Sequence, residues 1–177
     1  VLVMSDTKAK ALGLTPLARI VASGVSGLNP EIMGLGPIEA SKQAMARAGL
    51  SIDDIDLVEI NEAFAAQVIP SADELGIEWD KLNVAGGAIA LGHPFGMTGA
   101  RITATLIHNL REHDKTFGLE TMCVGGGQGM AMVVELGLAY LILSEEMPAE
   151  IRGRVNGVFG GCVVLGVSRD DCIRHAE

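Results

Sequence analysis

The chain reads as an α/β domain built on a sheet covered by helices on both faces. Three observations predict this. Short apolar segments of strand length alternate with longer segments whose apolar residues recur at helical spacing. The short segments are nearly continuous apolar runs, as strands buried on both faces require. Glycine-rich loops follow several of them, and functional groups in such folds gather in loops at strand ends.

Val1–Met4 reads as a buried strand, and Ser5 caps a helix, Asp6–Leu12, which Gly13 stops. Ala18–Val25 is the next strand. A loop, Ser26–Gly36, leads into a helix with Pro37 in its first turn and Gly49 after its end, the usual asymmetry of helix boundaries. Leu57–Ile60 is a short strand after the acidic turn Asp53–Asp56. Asn61 ends that strand and is placed to cap a helix over Glu62–Leu75. Val84–Leu91 reads as a short apolar strand ending at the loop of His93. Thr98 to about Leu110 is a long helix with an apolar stripe of Ile102, Leu106, Ile107 and Leu110. Phe117–Val124 and Gly129–Glu135 are two strands joined by a glycine loop.

With 177 residues, about half of them hydrophobic, the chain can bury a sizeable core. Its formal charge of −9, with scattered basic residues, excludes a phosphate-neutralising stripe and hence a nucleic-acid partner. Cys123, Cys162 and Cys172 form no CxxC or Cys/His metal spacing. An odd number of cysteines argues against a disulfide framework, for a reducing compartment and for a cytoplasmic location. No signal peptide is visible, and no bound metal is expected. Because the sequence opens on Val1 inside an apolar strand, further sequence upstream is expected. After Glu135 the character changes. Leu136–Leu143 is apolar, Ser144–Arg154 charged and Val155–Val167 glycine-rich and apolar, and neither apolar run reaches the roughly 18 residues of a membrane span.

The chemistry concentrates in three places. Gly86–Arg101, GGAIALGHPFGMTGAR, holds His93 between glycines and ahead of Pro94, where an imidazole can exchange a proton near neutral pH. Cys123–Gly129, CVGGGQG, sets a cysteine before a second glycine loop. Asn61–Phe64, NEAF, follows a strand end. On their own, His93 could be a turn histidine bonded to backbone and Cys123 a small buried hydrophobe. Beside a histidine, a lowered thiol pKa and a cysteine–histidine acid/base pair are expected for Cys123. The 86–99 loop lacks the lysine of a GxxxxGK[ST] phosphate loop, so no nucleotide site is expected there.

NEAF, GHP at Gly92–Pro94 and CVGGG, together with MGLGP at Met33–Pro37 and the segment RAGLSIDDIDLVEINEAFA, resemble the C-terminal half of thiolases, which make or cleave 3-ketoacyl-CoA. The resemblance runs from about Val1 to Glu135. It implies a mixed five-stranded sheet with helices on both faces, residues 1–17 as the end of the N-terminal half, residues 18–136 as the C-terminal domain and residues 137–177 as an atypical extension. It also implies that His93 activates a nucleophilic cysteine and binds the thioester oxygen. Cys123 would be the acid/base at the α-carbon of acetyl-CoA. Asn61 would hold an oxyanion-hole water, with Glu62 supporting it. Gly125 would donate its N–H to a second oxyanion hole, while Gly126 and Gly127 shape the loop. Ala63 and Phe64 would line the acyl pocket, although core packing is an equal reading of Phe64.

Coenzyme A thioesters are then the substrates, with no permanently bound cofactor. The family's nucleophile lies in an N-terminal half that matches nothing here, so the chain is expected to be inactive alone, to need that half as a partner, and to belong to a homo-oligomeric parent. Two other readings are a non-catalytic module that binds acyl-CoA or protein, and a thioesterase with Cys123 as nucleophile. The segment PAEIRGRVNGVFGG from Pro148 faintly resembles a piece of major facilitator transporters, and no function is assigned to it.

Overall fold

The structure is a computed structural model and describes residues 2–136. These divide into two units, the segment Leu2–Arg19 and the unit Ile20–Leu136. The extension expected over residues 137–177 lies outside the described residues.

In the first segment, helix α1 (Asp6–Ala11) begins at Ser5, whose side chain accepts a hydrogen bond from the Lys8 N–H. Gly13 ends the turn in the left-handed region. Leu2–Met4 is not a strand, and Leu2 and Val3 are exposed rather than buried. An apolar run says only that a strand would be favourable if a partner strand were present.

The larger unit runs in the order β1 (Arg19–Gly27), a 3-10 helix (Pro30–Leu35), α2 (Gly36–Ala48), β2 (Leu57–Ile60), α3 (Ala65–Leu75), α4 (Ala88–Leu91), α5 (Thr98–Glu112), β3 (Phe117–Val124) and β4 (Gln128–Glu135). The strands form a mixed sheet in the order β1-β4-β3-β2. β2 and β3 are parallel, and β3 and β4 form an antiparallel hairpin. The side-chain alternation of the strands then sorts the core. Val58, Ile60, Leu119, Ala131 and Val133 face α2 and α3, meeting Ala40, Ala44, Val68 and Ala72. The intervening residues face α5, whose Leu106 sits directly over Gly118. Helices therefore cover both faces.

The sheet has four strands among the described residues, not five. Val84–Leu91 is not a strand. The chain leaves the sheet at Asn83, which has a positive φ, and forms the short helix α4. Only one parallel bridge, Val58 to Leu82, marks where a fifth strand would lie. Short apolar runs suit a buried strand and a buried helix turn equally, so tertiary bonds decided here.

Two features of this frame need explanation. The first is a close backbone crossing. A Cβ on Gly36 would run into the Gln128 carbonyl and one on Gly129 into the Gly36 carbonyl, so the start of α2 lies directly on the β3–β4 turn. Ser26 Oγ donates to the Gly36 carbonyl at 2.9 Å and the Leu28 N–H donates to that of Gly127 at 2.8 Å. The second is a pair of buried carboxyls. Glu59 and Glu120 are register partners across β2 and β3, pointing at α5, and both are at least nine-tenths buried. Burial pushes each carboxyl up from 4.5 to about 7. For Glu59 the Arg101 charge opposes this rise and Glu62 and Glu120 reinforce it; for Glu120 a hydrogen bond from Thr103 opposes it.

Gly129→Ala should therefore destabilise the chain by roughly 1–3 kcal/mol through overpacking, whereas Gly125→Ala, whose Cβ would meet open space, should stay within about 0.5 kcal/mol of the parent; urea midpoints measure both. The carboxyl pair predicts a second effect. Between 4.5 and 7 the folded chain holds protons that the unfolded chain has released, so stability falls as pH rises through that window. A tenfold difference in proton affinity between the folded and unfolded chain is worth about 1.4 kcal/mol, so thermal melts at pH 5 and pH 8 should differ by at most a few kcal/mol in stability. The double substitution Glu59→Gln with Glu120→Gln should flatten that difference.

Candidate active site

The carboxyl end of β2 is the foundation. Asn61 follows it, is fully buried, and donates its backbone N–H to the Thr121 carbonyl on β3 at 2.9 Å. Its side chain does not cap α3, which begins at Ala65 with Phe64 in the cap position. The amide instead turns toward α5 and the loop of His93. Asn61 Nδ2 lies 3.3 Å from His93 Nε2 and 3.5 Å from Nδ1. The amide nitrogen is thus within hydrogen-bond distance of both ring nitrogens and nearer Nε2. On its other side, Arg101 Nη2 donates to Asn61 Oδ1 at 3.3 Å.

The His93 loop is held from beneath by two residues. Asn83 behaves as a substitute strand, its side chain accepting the Ile60 N–H at 2.9 Å and donating to the Ile60 carbonyl at 3.0 Å. Glu62 accepts from Asn83 Nδ2 at 2.8 Å and from the Ile89 N–H at 2.9 Å, tying the start of α4 to β2. A Cβ on Gly87 would collide with the Glu62 carboxylate, so only glycine allows this approach. Gly92, at φ +97°, then swings the chain out of α4 to present His93.

His93 is half-buried, with Phe95 edge-on to its ring at a centroid distance of 4.9 Å. Its Nδ1 lies 2.7 Å from Thr98 Oγ1, and Thr98 Oγ1 donates to the Pro94 carbonyl at 3.1 Å. A hydroxyl has one proton. With that proton on the carbonyl, the Thr98 oxygen accepts from Nδ1–H, which leaves the lone pair on Nε2. Donor accounting thus assigns His93 the Nδ1–H tautomer, with its free lone pair on Nε2.

Cys123 lies near the end of β3, half-buried, with Gly125 exposed in the turn that follows. The parallel ladder brings them to the same sheet end as Asn61. Among the described residues Cys123 makes no hydrogen bond to His93. Burial pushes its thiol up, with a backbone hydrogen bond opposing, which corrects the lowered value expected from sequence. Ala63 is half-buried. Phe64, 69% exposed, is not a core residue.

Four participants escaped the sequence reading: Thr98, Arg101, Asn83 and Glu59. Thr98 and Arg101 share a face of α5 at i, i+3 spacing, beside the apolar stripe, and this is the one signal that pointed to them. No group of three or more His, Cys, Asp or Glu side chains among the described residues could hold a metal ion, and none of the described helices is long and apolar enough to cross a membrane.

Residues 14–136 match the family described as the thiolase C-terminal domain. The chain is 54% identical over 133 residues to an acetyl-CoA acetyltransferase of Escherichia coli, covering 75% of this chain and 34% of that protein. It is 56% identical over 137 residues to a 3-ketoacyl-CoA thiolase of Shewanella frigidimarina, covering 76% and 35%. The crystal structure of human mitochondrial 3-ketoacyl-CoA thiolase in complex with CoA superposes with a TM-score of 0.72 at 49% identity, over 73% of this chain and 33% of that one. That of the Bacillus anthracis acetyl-CoA acetyltransferase gives 0.73 at 49%, over 75% and 34%. The chain spans about a third of the length of these relatives. It belongs to the thiolase family, and the matched region is the family's C-terminal domain.

Proposed function

We propose that this chain supplies the proton-handling wall of a thiolase site, serving acyl transfer between coenzyme A thioesters by thiolytic cleavage or Claisen condensation. The observation that supports this most is the contact between Asn61 and His93, with the His93 lone pair placed on Nε2. In this reading Nε2 takes the proton of a nucleophilic cysteine. That cysteine attacks the 3-keto carbon, the bond between C2 and C3 breaks, and the departing acetyl-CoA carbanion takes a proton from the Cys123 thiol. Coenzyme A then receives the acyl group from the nucleophile. A thiol pushed up by burial holds its proton at neutral pH, as a proton donor to a carbanion must.

Asn61 holds an oxyanion-hole water beside His93, and the Gly125 N–H faces the acyl-transfer oxyanion. Ala63 and the exposed Phe64 line the acyl pocket. The raised Cys123 thiol also weighs against a thioesterase with Cys123 as nucleophile, which needs a thiolate.

The nucleophile belongs to the family's N-terminal half, which we take as the partner of this chain within a homo-oligomeric enzyme. Two features support a missing partner. Phe95, edge-on to His93, is 86% exposed, and Phe64, Ile89 and Leu91 are exposed as well. A hollow of about 490 Å³ also runs along α5, lined by Met97, Ala100, Ala104 and Thr105 among others.

Incubated alone with acetoacetyl-CoA and CoA, the chain should form no acetyl-CoA at ordinary enzyme rates. A co-expressed N-terminal thiolase half should restore the reaction, and His93→Ala in that pair should lower it roughly 10²–10⁴-fold. Turnover by the chain alone, or an acyl adduct on Cys123 by mass spectrometry, would overturn the assignment of roles. The exposed apolar groups further predict self-association at micromolar concentration; a monodisperse monomer by light scattering that binds no apolar dye would count against the missing partner.

A further inference from the structure

Behind the pair formed by Asn61 and His93 lies a group of charged atoms that the chemistry above does not use. Arg101 spends Nη2 on Asn61 Oδ1, while its Nε and Nη1 are buried without a hydrogen-bond partner. Both carboxyl oxygens of Glu59 are likewise buried and unpartnered. The Arg101 charge acts on Glu59, with Glu62 and Glu120 as the other charges felt there. A guanidinium has only donors, and a carboxamide has a donor end and an acceptor end. The cation therefore admits Asn61 in one orientation, Oδ1 inward and Nδ2 outward. Reversal would set the Nδ2 protons against Arg101 and bring an acceptor oxygen to the imidazole, which would favour a proton on Nε2.

We propose that Arg101, which shares the buried α5 face of the sheet with Glu59, is a positioning residue that fixes the Asn61 amide so that its N–H donors face His93 and the Nε2 lone pair is preserved. The proposal rests on His93 and Asn61 forming the site, and it concerns how that site is held rather than what it transforms. The buried charge has a use on this account. An Asn61 oriented at random would present an acceptor to a developing oxyanion half of the time, and a donor must be fixed in advance to stabilise it.

The test reads the imidazole directly, by ¹⁵N NMR of the two His93 ring nitrogens in the 177-residue chain at alkaline pH. The parent should show one tautomer, protonated at Nδ1. In Arg101→Met the ratio of tautomers should shift toward Nε2–H by roughly tenfold, the usual worth of a hydrogen bond to a charged group. Arg101→Lys, which keeps the cation, should recover most of the parent ratio. If Arg101→Met does not fold, Glu59→Gln provides the reading, with a shift in the same direction. A folded Arg101→Met or Glu59→Gln chain with the parent tautomer ratio would overturn the proposal, as would Arg101→Lys behaving like Arg101→Met. None of these measurements needs turnover, so failure of the acyl-transfer reading would leave the tautomer result standing, and the reverse holds as well.

Discussion

The parallel pairing of β2 with β3 is the constraint on which the rest of this unit depends. Asp56 sets its register. Its carboxylate accepts the Thr116 and Phe117 N–H groups at 2.9 and 2.8 Å, and its own N–H donates to the Phe117 carbonyl. From that clamp the ladder runs Leu57 to Gly118, Val58 to Leu119, Glu59 to Glu120 and Ile60 to Thr121. A shift of one residue would exchange every side chain between the two faces. Val58 and Ile60 would leave the core shared with α2 and α3, and Glu59 would enter it. The same register delivers Asn61 to the Thr121 carbonyl and so to the sheet end where Cys123 lies.

The site end of the sheet is held by polar groups in places where an ordinary α/β sheet would continue with another strand. Asn83 answers both backbone groups of Ile60 with one carboxamide, and Glu62 extends the linkage to the start of α4. These bonds satisfy an edge that would otherwise be left open. They also free residues 84–92 from the sheet, so that the chain can turn at Gly92 and project His93. The incomplete fifth strand and the projecting, half-buried histidine therefore have the same cause. On the far side, the crossing of Gly36 over Gly129 holds the β3–β4 turn, and with it Gly125, against the start of α2.

The α5 face of the sheet combines an apolar stripe with carboxyls that a purely structural core would exclude. Glu59 and Glu120 stand side by side, and both are pushed up toward neutrality by burial. Replacing such groups by apolar residues of like volume is commonly neutral or stabilising. Glu59 feels the charge of Arg101, which donates to Asn61, and this links the energetic cost to the orientation of the site.

Sequence alone determined α1, α2 and α5, the hairpin and the identity of the residues in the site motifs. α2 is bounded by Pro37 and by Gly49 in the left-handed region, α1 by Ser5, and the hairpin by its glycines; all are short-range signals that act within a few residues. His93, Asn61 and Cys123 were legible because their motifs lie in the order and spacing of a known family. Tertiary structure decided what depends on distant partners. Residues 84–91 became a turn and a helix because Asn83 captures Ile60 on β2 and Glu62 captures the Ile89 N–H, both pairs more than twenty residues apart in sequence. Phe64 faces outward because α3 begins after it, and Asn61 turns to Arg101, forty residues along, instead of capping that helix. The Cys123 thiol is raised because burial outweighs an opposing backbone hydrogen bond, and the burial is set by which groups fold around the sulfur.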